Sequence, residues 1–149
     1  MKKLLLTTVA ALALATPALA DNSVSTVTQT GASNGATVDQ TGSIQGGDSL
    51  VDQSGDGNTA DVSQSDDGSG ASSPMNFSDI LQSGDNNSAT LTQDTSTFQI
   101  SSSSLIDQTG DNNVADVTQL DDWQDSIVTQ SSDGNTATVV QGDAALAVT

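Results

Sequence analysis

In the stretch SLVDQSGDGNTADVSQ, residues 49–64, candidate interior side chains fall on alternate positions. Ser49, Val51 and Gln53 alternate before a glycine, and Asn58, Ala60, Val62 and Gln64 alternate after it. Period two marks a strand with one face turned inward. The arrangement recurs in five segments, at about residues 25–40, 49–64, 78–93, 104–119 and 126–141. In each, two glutamines stand 11 positions apart: Gln29 with Gln40, Gln53 with Gln64, Gln82 with Gln93, Gln108 with Gln119, and Gln130 with Gln141. Five positions after the first glutamine comes an asparagine (Asn34, Asn58, Asn87, Asn113, Asn135), and two further on an alanine (Ala36, Ala60, Ala89, Ala115, Ala137). A β-branched residue always precedes the first glutamine by two positions, and a serine precedes it by four.

Between the halves sits Gly31, Gly55, Gly84 or Gly110, with Ser132 in the fifth segment, where the chain must turn. Each unit therefore reads as strand, tight arc, strand, with its marked residues inward and mostly Thr, Ser, Asp and Gly outward. One such unit cannot bury its inner face alone, so the units must stack. The expected fold is all-β: a β-solenoid of five strand-arc-strand repeats forming two stacked parallel sheets. In-register stacking places identical side chains ~4.8 Å apart, where Asn and Gln form hydrogen-bonded ladders. The ten glutamines and five asparagines named above are the candidate ladder residues, and the four glycines are the candidate turn residues. Buried amides cost little when each donor and acceptor meets its copy, and much otherwise. Successive first glutamines lie 24, 29, 26 and 22 residues apart while the span within a repeat is constant, which confines insertions to one edge of the stack. The largest, SDDGSGASSPMNF, reads as a loop.

The unit S-x-x-x-Q-x-G-x-x-N-x-A-x-x-x-Q, as in SDILQSGDNNSATLTQ and SLIDQTGDNNVADVTQ, resembles the curlin repeat of bacterial curli fibres. The resemblance spans residues 25–141. It implies a β-solenoid subunit exported across both membranes of a Gram-negative cell, which polymerises into functional amyloid of the biofilm matrix and cell surface and serves adhesion. It also implies partners: further copies of the chain, and a nucleator and secretion machinery of the curli type. The serine four positions before the first glutamine stands where curlin repeats usually carry an aliphatic residue. The inner face is therefore expected to be smaller and more polar than the family's.

Charge and composition narrow the remaining classes. Lys2 and Lys3 precede an apolar run from Leu4 to Ala15 and then Ala18-Leu19-Ala20, which reads as a secretory signal peptide over residues 1–20. Residues 21–149 form the repeat domain. All 19 acidic residues are Asp and lie after position 20, with no Lys, Arg or His beside them. Nucleic acid is not an expected partner, because binding it rests on Lys and Arg neutralising phosphates. No stretch approaches the ~20 apolar residues of a membrane helix, so membrane insertion is not expected. The expected location is extracellular, after transit through the periplasm. There is no Cys to form a disulfide.

A chain without His, Cys, Lys, Arg, Tyr or Glu after position 20 lacks the usual bases and nucleophile activators, so neither catalysis nor a cofactor is expected. Asp56, Asp85, Asp111 and Asp133 all fall three positions after a first glutamine, and stacking sets them in a column. Carboxylates so placed offer hard oxygen ligands to Ca²⁺, although no EF-hand loop or calcium-binding nonapeptide is present; solvated charge and turn chemistry are the competing readings. The functional alternative to a fibre is a monomeric acidic β-solenoid that binds Ca²⁺, carbohydrate or ice. Binding ice or carbohydrate calls for a regular outward Thr array, and the outward positions here mix Thr with Asp, Leu, Ser and Val.

Overall fold

The computed structural model describes residues 23–43, 46–66, 76–95, 102–120 and 123–142. The expected signal peptide lies outside them. So does 67–75, the middle of the long connection. Ten strands run in chain order: β1 (Val24–Thr30), β2 (Gly35–Gly42), β3 (Gly47–Ser54), β4 (Thr59–Asp66), β5 (Asn76–Ser83), β6 (Ser88–Thr95), β7 (Ser103–Thr109), β8 (Val114–Gln119), β9 (Asp125–Gln130) and β10 (Thr136–Gln141).

The first strand of every repeat joins one sheet, ordered β1-β3-β5-β7-β9, and the second joins another, ordered β10-β8-β6-β4-β2. All pairings are parallel. This is the β-solenoid of two stacked parallel sheets that the alternating pattern requires. Register is set by the repeat: Gln53 pairs with Gln82 and Val51 with Ile80, and across the facing sheet Gln64 pairs with Gln93 and Val62 with Leu91. A one-residue slip would send every inner side chain to solvent, so the alternation itself selects this register. Among the described strand pairs the register shifts once, between Asp39 and Gly42 at the end of β2.

The long connection is shorter than its composition suggests. Ser65 and Asp66 continue β4, and Asn76 and Phe77 open β5. Local hydrogen bonds explain the extension: the Ser65 hydroxyl donates to the Asp94 carboxylate at 2.9 Å, and buried Asn76 accepts the Ser102 N–H at 3.0 Å.

Between the sheets the core is a narrow double column. Val51, Ile80, Ile106 and Val128 line one side, and Ala60, Val62, Ala89, Leu91, Ala115 and Val117 the other. Among the described residues no aromatic side chain is buried there. The serine column beside it is less well satisfied than a ladder would be. Ser104 and Ser126 share a hydrogen bond of 2.8 Å, whereas the buried hydroxyls of Ser49 and Ser78 have no partner.

A buried unpaired hydroxyl costs about 1–3 kcal/mol, so removing it relieves that penalty. Ser78→Ala is expected to leave stability unchanged or raise it, while Ile80→Ala in the same strand should lower it by about 2–5 kcal/mol through the cavity it opens. Urea unfolding followed by far-UV circular dichroism checks the contrast, and comparable losses for the two variants would contradict this packing.

Candidate functional site: the amide ladders and the two ends

The inner glutamines form two continuous hydrogen-bonded columns. In the first, Gln29 donates through Nε2 to Oε1 of Gln53 at 2.7 Å, Gln53 to Gln82 at 2.7 Å, Gln82 to Gln108 at 2.9 Å and Gln108 to Gln130 at 2.8 Å. In the second, Gln40 donates to Gln64 at 2.8 Å, Gln64 to Gln93 at 2.8 Å, Gln93 to Gln119 at 2.9 Å and Gln119 to Gln141 at 2.9 Å.

Every ladder carboxamide from Gln40 onward also braces the facing sheet. Gln82 Nε2 donates to the Thr59 carbonyl at 3.0 Å and Gln108 to that of Ser88 at 3.1 Å; from the other side Gln93 reaches Phe77 at 3.0 Å and Gln119 reaches Ser103 at 3.0 Å. A carboxamide offers two N–H donors and one oxygen. An interior glutamine here uses both donors, one along the column and one across it, and its oxygen accepts from the repeat before.

The asparagines tie the arcs together in the opposite sense. Asn34 Oδ1 accepts the Asn58 N–H at 2.9 Å, Asn58 accepts that of Asn87, Asn87 that of Asn113, and Asn113 that of Asn135, each also at 2.9 Å. Their Nδ2 groups reach forward to the next arc: Asn34 to the Gly55 carbonyl, Asn58 to Gly84 and Asn87 to Gly110, all at 2.8 Å.

Close approach of successive arcs accounts for the glycines. Gly31, Gly55, Gly84 and Gly110 have φ between 102° and 112°, a region L side chains rarely adopt. A Cβ on Gly55 would lie inside van der Waals contact of the Gly84 carbonyl, and one on Gly84 would meet Gly110 in the same way.

Stacking does set Asp56, Asp85, Asp111 and Asp133 one above another in the arcs, but each carboxylate is engaged with backbone. Asp56 Oδ1 accepts the Ala32 N–H at 2.7 Å, Asp85 that of Asp56 at 2.8 Å, Asp111 that of Asp85 at 2.8 Å, and Asp133 that of Asp111 at 2.9 Å. Among the described residues no group of three or more acidic side chains is arranged to hold a metal ion. These aspartates act as inter-repeat clips.

Three features escape a reading of the sequence by its inner pattern. The third arc residue is left-handed in every repeat, at Ser33, Gly57, Asn86, Asn112 and Gly134, with φ from 57° to 71°. Gly or Asn at four of these five positions is the signal, since those residues enter that region most readily. At the opposite edge, short polar acceptors clip successive repeats: Ser23 Oγ accepts the Gly47 N–H at 3.1 Å, and Ser102 Oγ that of Gln124 at 3.4 Å. Asp39 accepts the Thr41 hydroxyl at 2.7 Å and its N–H at 3.0 Å, and these bonds hold its carboxyl below the usual value.

The two ends differ from the middle. Gln29, Asn34, Gln40, Asn135 and Gln141 are half-buried, while the ladder residues of the three central repeats are buried. In the fifth arc, Asn135 Nδ2 bonds the Ser132 carbonyl at 2.6 Å and Ser132 Oγ at 3.1 Å within its own repeat, and Asn113 Oδ1 of the repeat before at 3.0 Å. No protein-family model, curated protein or solved structure matches this chain.

Gln82→Ala strands the Gln53 donor and the Gln108 acceptor in the interior, for an expected loss of ~2–6 kcal/mol at ~1–3 kcal/mol for each unpaired group. Outward Thr90→Ala should stay within about 0.5 kcal/mol of the parent. Gly84→Ala should cost more than about 1 kcal/mol, because it combines a disfavoured φ with the Gly110 carbonyl contact. Chemical unfolding of the three variants measures the order directly; Gln82→Ala as mild as Thr90→Ala would contradict the ladder.

Proposed function

We propose that this chain is a secreted structural subunit that assembles end to end into curli-like amyloid fibres on the cell surface and in the biofilm matrix, where they serve adhesion. The observation that carries this reading is that the described residues leave two unfinished, complementary ends. At one end Gln29 and Gln40 have donated to the repeat after them, so their Oε1 atoms are the acceptors that face out. At the other, Gln130 and Gln141 accept from the repeat before and spend one N–H on the facing sheet, at Val114 and Asp125, so their second N–H faces out.

The strand edges support the same reading. An exposed parallel edge is a template for another strand unless charge or proline blunts it. Of the four edge strands, β1 (VSTVTQT) and β10 (TATVVQ) contain neither, while β9 (DSIVTQ) carries one Asp at its start and β2 (GATVDQTG) carries Asp39. The repeat pattern resembles that of curlins, which is the basis for proposing export to the cell surface and partnership with a nucleator and secretion machinery of that type.

Incubation of the purified chain lacking residues 1–20 tests the proposal. Sigmoidal growth of thioflavin fluorescence and fibres with a ~4.8 Å meridional reflection are expected. A monomer that persists at every concentration, by sedimentation, would overturn it and favour a binding module. Salt gives a second check. Nineteen aspartates without a basic residue among residues 21–149 repel in any assembly. Raising NaCl from about 10 mM to about 150 mM shrinks the Debye length from ~30 Å to ~8 Å and should shorten the lag. A lag insensitive to salt would show that charge does not limit assembly.

A further inference from the structure

We propose that two copies join with the fifth repeat of one against the first repeat of the next, through a junction sealed by the amide columns but left open at the arc, where Ser132 faces Gly31 and Asp133 faces Ala32. The inference rests on the fibre-forming reading and specifies its interface. The occupant of the open end is a second copy because both the ladder and the charge spacing continue only through the chain's own first repeat.

Continuing the register sets Gln130 against Gln29, Gln141 against Gln40, and Asn135 Oδ1 against the Asn34 N–H, as between internal repeats. Charge points the same way. Within the sheets no aspartate is the register partner of another: Asp48 pairs with Val24 and Phe77, Asp52 with Thr28 and Leu81, Asp61 with Thr37 and Thr90, Asp107 with Leu81 and Thr129. Across the junction Asp125 would meet Val24 and Asp39 would meet Val140, so the spacing of carboxylates holds there too.

The arc breaks this continuity. Each internal arc step carries a backbone N–H bonded to the next repeat's Asp carboxylate, as from Asp111 to Asp133 at 2.9 Å. At the junction the donor is the Asp133 N–H and the residue opposite is Ala32, which has no acceptor. Steps one to three also carry an Asn Nδ2 bonded to the next glycine carbonyl, but Asn135 spends its Nδ2 on Ser132 at 2.6 Å. The glycine position holds Ser132, which does not share the positive φ of Gly31, Gly55 and Gly84, so the fifth arc leaves the backbone path along which those arcs approach their neighbours. The two departures from the arc pattern thus lie at neighbouring positions on opposite sides of the same junction, which makes it the weakest step of the fibre.

Restoring the arc should strengthen it. Ala32→Asn supplies an acceptor without adding charge, and Ser132→Gly supplies the close approach. The readout is the soluble monomer left in equilibrium with fibres, with circular dichroism confirming that each monomer folds. Each substitution is expected to lower that concentration about fivefold, the worth of one net hydrogen bond, and the pair to lower it further. Wild-type and variant fibres with equal residual monomer, or variants with more, would overturn the open-arc junction while leaving the fibre reading intact. Failure of every form to make fibres would overturn both.

Discussion

A carboxamide buried between two sheets must find a partner for each of its donors and for its oxygen, and here the partner along the stack is the same residue of the next repeat. That one constraint organises the molecule. It demands parallel strands, because only parallel stacking brings Gln82 under Gln108 and Gln93 under Gln119 in the same sense. It fixes the distance between the two glutamines of a repeat, since a change of one residue would turn one of them outward. It leaves the connections between repeats free, because they lie outside the columns, and their lengths vary accordingly.

The arcs solve a second problem, how to turn the chain without leaving polar backbone unpaired. Glycine at a left-handed φ lets one arc lie against the next, and the asparagine and aspartate side chains then convert that proximity into hydrogen bonds. Turn chemistry and inter-repeat adhesion are therefore the same set of residues. Within a single copy the exceptions obey the same logic: Ala32 lies where no preceding arc offers an N–H, and Ser132 where no following arc presses on the glycine position.

Much of this was legible in the sequence, because the constraint acts on side-chain identity at fixed offsets. The alternation of Val51, Gln53, Asn58, Ala60, Val62 and Gln64 carries strand period, inward face and stacking register together, and the two parallel sheets follow. What stayed hidden depends on atoms rather than on patterns. A column of aspartates leaves cation binding, solvated charge and turn chemistry open in the sequence, and the bond from each carboxylate to the previous arc's N–H shows a role in the arc that the sequence does not display. The serine that recurs in every repeat behaves unevenly: Ser104 and Ser126 bond one another, whereas the hydroxyls of Ser49 and Ser78 find no partner. The ends of β4 and β5 run into a stretch whose Ser, Gly and Asp content signals a loop, since side-chain bonds at Ser65 and Asn76 outweigh local preference.

The most direct test of the account is hydrogen exchange at the glutamine side-chain amides of the folded chain, read by ¹⁵N NMR. Protection at Gln53, Gln64, Gln82, Gln93, Gln108 and Gln119 should approach that of the central strand backbone, and Gln29, Gln40 and Gln141 should exchange much faster. Carboxamide protons of the three central repeats that exchange as freely as those of an unfolded peptide would contradict the claim that these ladders hold the fold together.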